Sequence, residues 1–494
     1  MSFTKRLLTT LNLFFAVCPL LFAQSPPNTD ELIHRIETCL PPAVVVKGEP
    51  PACTPLLTRM QQLHIPGVSI AVVHNGVIQW ARGYGIASPD NKPVTPETIF
   101  QAGSISKPVA AMATLRLVQE GKLSLDADVN TKLTSWKVPA SDAAPGAVVT
   151  LRELMTHTAG MTVHGFPGYA AGAPVPTLVQ VLNGEKPANT PAIRIETPPN
   201  TKWNYSGGGI TIMQQLMLDV SHEPFPKLLH DSVLAPIGMT HSTYEQPLPA
   251  VLQPKAAAPY DVHGVAVPGG AHTYPEMAAA GLWTTPSDLG RYILENQQSL
   301  QGKANHVLSQ AMTKESLTPG KGSWGLGVEI GGSPSHPYFT HGGSNEGFEA
   351  LFVGYENNGD GAAIMTNAQG GGRLCAEIMS AIAVAYNWPD FQPPVRTMIQ
   401  LPPEALTRFA GTYQATTPPN FAITITVENG QLMGQPSHGS KALLFPESPT
   451  KFFVKEFPVE IEFVPNDKGE ITKGEITSLI VHQPGPEIRA DKKP

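Results

Sequence analysis

Two strong hairpin signals bracket a long helical and loop-rich middle, and that order constrains the fold more than any other feature of the chain. Val68–Val73 and Val77–Tyr84 flank Asn75-Gly76, a dipeptide that readily adopts the positive φ angles of a tight hairpin turn. Far downstream, Glu349–Tyr355 and Ala362–Thr366 flank the turn-forming stretch Asn357-Asn358-Gly359-Asp360-Gly361. Further strand patterns fall at Trp324–Ile330 and Tyr338–Thr340, and an apolar helix at Leu374–Tyr386 closes the region. Between the two sets lie a helix from Ser104 to Glu120, stopped by Gly121, and shorter helical patterns at Leu151–Met155 and Ile210–Val220. Strands, then helices and loops, then strands again predict an α/β (α+β) fold: an antiparallel sheet whose first strands pair with its last, flanked by helices, plus a helical subdomain.

A chain of 494 residues is too long for one compact core, and a second unit is legible near its end. Pro389, Pro393, Pro394, Pro402 and Pro403 read as a stiff linker over residues 389–405. Beyond it, Phe421–Val427, Gln431–Gly434, Ala442–Phe445, Phe452–Val454, Ile461–Val464 and Ile476–Val481 are short strand candidates, the pattern of a small sandwich or barrel over residues 406–494. The main domain is then expected over residues 24–388. With 50 prolines, 45 glycines and only 15% charged residues, the composition excludes a coiled coil, a helical repeat array and a charged disordered tail. The formal charge of −7 arises from 33 basic and 40 acidic residues without long like-charge runs. No basic stripe with interleaved aromatics is present, so no nucleic-acid partner is expected.

Lys5 and Arg6 precede an apolar run from Leu7 to Phe22, followed by the small residue Ala23. That is the layout of a secretory signal peptide over residues 1–23, cleaved after Ala23, which implies a periplasmic or secreted protein. The run is broken by Asn12 and Pro19 and falls short of the roughly 20 apolar residues a spanning helix needs, so no stable membrane anchor is expected. Val17 directly before Cys18 is not the small residue a lipoprotein signal requires. In an oxidising compartment Cys39 and Cys53, which bracket a proline-rich loop, are able to pair, and the sequence leaves open whether they do. Cys375, in an apolar helical stretch, reads as a buried structural thiol. No Cys-x-x-Cys or His-Glu-x-x-His spacing occurs, and neither a metal nor a cofactor is expected.

Three short stretches could carry chemistry. A Gly-x-Ser-x-Gly elbow is absent, which disfavours an α/β-hydrolase. Instead, Gly103-Ser104-Ile105-Ser106-Lys107 stands directly before the apolar helix, where a serine and a lysine three residues apart share one helical face. A lysine beside a serine hydroxyl can activate it as a nucleophile. The second stretch is Trp203-Asn204-Tyr205-Ser206-Gly207-Gly208-Gly209, a glycine-rich turn that presents a tyrosine able to donate or accept a proton. The third is His341-Gly342-Gly343-Ser344 at a strand end. Its two glycines let a substrate lie against backbone, and a free amide beyond them could serve an oxyanion. Alone, each has an ordinary structural reading: a helix start, a turn with a packing tyrosine, a satisfied strand-end histidine.

Together, and in this order, the three resemble the serine hydrolases related to class C β-lactamases and penicillin-binding proteins, a group that includes D-amino-acid peptidases and certain esterases. The resemblance spans roughly residues 55–390. It is supported by Gly67–Val73, by Leu151-Arg152-Glu153-Leu154-Met155-Thr156-His157-Thr158-Ala159-Gly160, and by Gly281–Leu289. It implies a β-lactamase/DD-peptidase-like fold in which Ser104 is the acylated nucleophile, Lys107 its activating partner and Tyr205 a general base or acid. The amides of Ser104 and Ser344 would form the oxyanion hole, with His341, Gly342 and Gly343 along the substrate edge. Leu406–Tyr413 resembles the start of lipocalin-like domains appended to some relatives.

Two positions depart from the pattern. Class C β-lactamases carry Asn where this chain has Gly207, and His341 stands where many relatives have lysine, removing a permanent positive charge. Both lean toward an esterase or a peptidase acting on D-residue peptides, with weak β-lactam turnover. The expected partner is a small-molecule or peptidoglycan-like acyl substrate, and the sequence says nothing of oligomeric state. The alternative is a penicillin-binding sensor that acylates and deacylates slowly.

Overall fold

A computed structural model describes residues 28–50, 52–466, 475–483 and 487–493; the expected signal peptide lies outside them. The principal elements of the large domain are helices α1 (Thr29–Thr38) and α2 (Leu56–Gln62), strands β1 (Gly67–His74) and β2 (Val77–Gly85), and helices α3 (Ser106–Gln119), α4 (Leu151–Met155), α5 (Gly207–Ser221) and α6 (Pro286–Leu300). Strands β3 (Glu329–Ser333), β4 (His336–Asn345), β5 (Phe348–Tyr355) and β6 (Gly361–Thr366) and helix α7 (Gly371–Ala385) complete it. The six strands form one antiparallel sheet in the order β2-β1-β6-β5-β4-β3. The first strands do pair with the last, from Val68 opposite Thr366 to Val73 opposite Gly361. Asn75 and Gly76 take φ of 53° and 76°, the left-handed pair that a two-residue hairpin requires.

The central strands β1 and β6 are buried on both faces, and their side chains sort by alternation. Ile70, Val72, Ala362 and Ile364 pack with Ile33 and Ile36 of α1 and with Leu374, Ile378 and Ile382 of α7. Ala363, Met365 and Phe352 face the other way, into a core with Leu289 and Ile293 of α6. That second core continues into the helical subdomain, where Val109 and Ala113 of α3 join Met213 and Leu216 of α5. Helix α5 begins at Gly207, three residues before the expected Ile210, because the Ser206 hydroxyl caps it by accepting from the Gly209 amide at 3.0 Å.

The C-terminal unit is a closed eight-stranded antiparallel barrel of β7 (Gly411–Ala415), β8 (Ala422–Glu428), β9 (Gln431–Pro436), β10 (Ala442–Pro446), β11 (Lys451–Phe453), β12 (Glu460–Pro465), β13 (Ile476–His482) and β14 (Ile488–Lys492). Pairing of β7 with β14 closes it. Phe409, Tyr413, Phe452 and Phe463 pack ring against ring in its core. Among the described residues no helix is long and apolar enough to cross a membrane.

An N-terminal loop ties the barrel to the large domain. Val45–Val46 pairs in parallel with Val395–Arg396 of the proline-rich stretch, and Val44 and Val46 pack on Phe453 of the barrel. Glu49 holds Lys455 at 2.8 Å. Cys39 and Cys53 are joined, with their Cα atoms 4.6 Å apart, so the disulfide closes the very loop that carries these contacts. Closing a loop of about 15 residues is worth about 3 kcal/mol in the chain-entropy account. The double variant Cys39→Ser/Cys53→Ser is expected to lose about that much stability in urea unfolding under oxidising conditions. An unchanged urea midpoint would show that the loop needs no covalent closure.

Candidate active site

Ser104 sits in a 3₁₀ turn, Gly103–Ile105, that leads directly into α3. Two glycines bring this turn against strand β4. Gly103 has φ of 52°, and a Cβ there would stand 2.5 Å from the Ser344 amide nitrogen. A Cβ on Gly343 would stand 1.9 Å from the carbonyl oxygen of Ala102. Any side chain at either position would force the two backbones apart. Ser106, the second serine of the motif, is structural: its hydroxyl donates to Gly103 O at 2.6 Å and accepts from the Leu282 amide at 2.9 Å.

Lys107, only 2% exposed, reaches back one helical turn. Its Nζ donates to Ser104 Oγ at 2.8 Å and to the carbonyl of Ala279, also at 2.8 Å. Tyr205 closes the other side of the amine, with its ring centre 5.1 Å from Nζ. The spacing of Ser104 and Lys107 thus places them as expected of one helical face, and the tertiary fold adds Tyr205 from the loop before α5.

The loop Thr162–Phe166 packs over the glycine triplet. The Gly207 and Gly208 amides donate to His164 O at 2.9 Å and Val163 O at 3.0 Å. A Cβ at Gly207 would meet the Phe166 ring at 3.0 Å. The Phe166 ring thus crowds the space that a side chain at position 207 would enter.

Strand β3 pairs with only the first half of β4, from His336 to Thr340. From His341 to Asn345 the edge of β4 facing away from β5 has no strand partner among the described residues, and it borders Ser104 across a cleft of about 530 Å³. An extended substrate can add to such an edge through its backbone. His341 is 4% exposed. Its Nδ1 donates to the carbonyl of Gly342, which leaves Nε2 as a buried acceptor with no partner among the described residues. Burial, reinforced by the Lys107 charge, pushes the His341 pKa down to about 3. The ring is neutral at working pH and supplies no positive charge for a substrate carboxylate.

The remaining walls are aromatic. Trp203 and Trp324 stand 5.6 Å apart, Tyr205 meets Trp324 at 5.7 Å, and Trp324 meets His341 edge-on at 5.4 Å. His164 lies 4.9 Å from Tyr205 at a tilt of 45°, at the mouth. The expected strand Trp324–Ile330 begins only at Glu329. Gly327 takes φ of 91° and the Gly325 amide donates to Val328 O, so the chain turns there and sends Trp324 into the cleft. Neither Trp324 nor His164 carries a local signal in the sequence, since both reach the cleft on irregular backbone.

Glu349 also lines the cleft, but its carboxylate is spent on the Gly370 and Gly372 amides at 2.8 and 2.6 Å, capping α7. Cys375 lies buried beside it, and burial raises its thiol pKa well above the ordinary range, so it stays a protonated thiol. On the barrel side, the guanidinium of Arg373, next to the cleft-lining Gly372, lies 5.4 Å from the ring of Phe457 in the turn between β11 and β12. In the barrel itself Glu460, Glu462 and His482 converge within 4.8 Å. Arg396 and Lys451 already hold the Glu460 carboxylate at 2.7 and 3.2 Å, which makes the group an ion-pair network.

Residues 56–385 match the protein family described as Beta-lactamase, and residues 395–489 match a domain of unknown function (DUF3471). Over 256 residues the chain is 30% identical to a Beta-lactamase of Pseudomonas fluorescens, covering 51% of this chain and 65% of that one. It is 26% identical over 250 residues to Protein flp of Staphylococcus aureus (strain N315), covering 49% of this chain and 45% of that one. The matches therefore span less than two thirds of these curated relatives. The octameric penicillin-binding protein homologue from Pyrococcus abyssi superimposes with a TM-score of 0.60 at 20% identity, over 88% of this chain and 98% of that one. At that identity the likeness establishes the fold.

Two buried histidines, His341 and His157, have folded-state pKa values below the ordinary 6.5. Their neutral forms favour the folded state above about pH 6.5, and that contribution is lost as pH falls below it, for His341 down to about 3. Each adds a slope of up to about 1.4 kcal/mol per pH unit in that window. Urea unfolding between pH 7 and pH 4 is expected to show this decline, and His341→Gln to flatten it by one proton's share. An identical slope in that variant would count against a neutral His341.

Proposed function

The chain belongs to the Beta-lactamase family, and on that premise we propose that it is an exported serine hydrolase working through an acyl-enzyme on Ser104. Its substrates are esters or D-amino-acid-containing peptides and amides, with β-lactams turned over weakly. The observation that carries this reading is the 2.8 Å hydrogen bond between Lys107 Nζ and Ser104 Oγ, with Tyr205 against the same amine. In the first step Oγ attacks the substrate carbonyl while the Lys107–Tyr205 pair takes its proton. The amides of Ser104 and Ser344 hold the resulting oxyanion. Collapse expels the leaving group, which takes the proton back from the pair. Water then attacks the acyl-enzyme, gives its proton to the same pair, and Ser104 leaves reprotonated as the acid departs.

The substrate preference rests on charge. The neutral His341 supplies no positive charge to the carboxylate that β-lactams carry, whereas the aromatic walls suit the uncharged acyl groups of esters and amides. Export is supported by the Cys39–Cys53 disulfide, a bond that persists in oxidising compartments. A slow-deacylating penicillin sensor is the second reading, and the loss of a side-chain amide at Gly207, whose space Phe166 fills, favours it.

Ser104→Ala is expected to lower kcat on p-nitrophenyl esters by at least about 10³-fold; undiminished turnover would end the assignment. A labelled penicillin followed by intact-protein mass spectrometry separates the two readings, because a persistent adduct marks the sensor and rapid release marks the hydrolase. We further propose that the barrel limits substrate bulk through Phe457, 45% exposed and 5.4 Å from Arg373, the residue after the cleft-lining Gly372. Phe457→Ala is expected to raise kcat/KM several-fold for long acyl esters relative to acetate; an unchanged ratio would remove the barrel from substrate selection.

A further inference from the structure

One residue of the Leu151–Gly160 stretch has no part in the chemistry above, yet it holds both sides of Tyr205. The Asn204 amide donates to the carbonyl of His157 at 2.8 Å, and the Ser206 amide donates to His157 Nδ1 at 3.2 Å. The ring of His157 lies 4.3 Å from that of Tyr205 at a tilt of 38°, and meets Trp324 edge-on at 5.0 Å. We propose that His157 is the positioning residue of the site, a neutral acceptor that locks Tyr205 against Lys107 by clamping the peptide groups before and after it. The inference rests on the reading of Tyr205 as the proton-transfer partner.

The clamp is anchored on rigid backbone. Helix α4 carries a complete capping box, Thr150 with Glu153, and ends at Met155. The Thr158 and Ala159 amides then return to Glu153 O at 2.9 and 3.1 Å. This tight return puts His157 in the left-handed region, at φ of 57°, which turns its carbonyl and its ring toward the same neighbouring loop. With 2% exposure, the side chain has little freedom to leave.

The chemistry of the bond explains the residue type. Nδ1 receives an N–H, so it must carry a bare lone pair and the ring proton must sit on Nε2. A charged imidazolium would turn a second N–H toward the Ser206 amide and break the clamp. Burial, reinforced by the charge of Lys107 from α3, holds its pKa well below the ordinary value, and His341 from β4 and His164 from the overlying loop also face the ring. The Tyr205 hydroxyl belongs to the same group of titratable neighbours. Under this arrangement the position of Tyr205 is insensitive to pH through the working range.

Two amide variants separate a positioning role from bulk. His157→Asn places its side-chain oxygen where Nδ1 lies and tolerates a left-handed backbone. His157→Gln carries the same amide one atom further out, nearer to Nε2. On p-nitrophenyl acetate, His157→Asn is expected to keep kcat within about 5-fold, and His157→Gln to lose about 10²-fold with KM little changed, the range of a general acid–base contribution. Equal kcat in the two variants, both folded by circular dichroism, would overturn the proposal. A second readout is independent of turnover: 3-fluorotyrosine at position 205 is expected to give one 19F resonance at the native shift in His157→Asn and a displaced or split one in His157→Gln. An unperturbed resonance in His157→Gln would equally overturn it. If the parent enzyme turns over no ester, or Ser104→Ala remains active, the functional reading fails by itself while the 19F comparison still decides whether His157 positions Tyr205.

Discussion

Two backbones touch at the centre of this molecule, and the rest of the site depends on that contact. The Ala102–Gly103 turn and the Gly343–Ser344 segment of β4 approach so closely that a Cβ at either glycine would fall inside the facing backbone. Because they meet, the amide of Ser344 lies beside the residue that precedes Ser104. The open half of β4 then becomes one wall of the cleft. The contact also sets where α3 begins. Once the turn is placed, the helical repeat alone carries Lys107 to Ser104, and Ala279 fixes the amine from a third direction.

The second governing fact is electrical. Lys107 is buried among neutral oxygens, aromatic rings and histidines that burial keeps uncharged. In a low-dielectric pocket the polar contacts of that amine, to the Ser104 hydroxyl and the Tyr205 ring, are stronger than they would be in water. The acidic residue at the cleft, Glu349, is turned away from the reacting atoms by the helix it caps. A site built this way is tuned for moving protons over a few ångströms more than for capturing an ionic substrate. The barrel, held by the disulfide-closed loop, meets Arg373 of α7 through Phe457 without entering that circuit.

Much of the architecture was legible because it follows from local rules. The Asn75-Gly76 turn, the alternation along β1 and β6, and the three-residue step from Ser104 to Lys107 each need only a few neighbouring residues to be read. The stretch from Trp324 alternates like a strand, and only the turn around Gly325 and Gly327 shows that it is not one before Glu329. His164 sits in a loop with no periodicity at all. His157 stood inside a recognisable stretch, but its partners, Asn204 and Ser206, lie nearly fifty residues away.

The sequence by itself determined the kinds of groups available, the antiparallel order of the sheet and the pairing of serine with lysine, because those depend on spacing along one chain. Only the tertiary structure decided that Tyr205 faces that lysine, that His341 is neutral, that Phe166 occupies the space over Gly207 and that the proline-rich stretch is pinned to the N-terminal loop. Each of those depends on burial or on contact between segments far apart in sequence. Desolvation and close packing are properties of the assembled fold, and no local pattern encodes them.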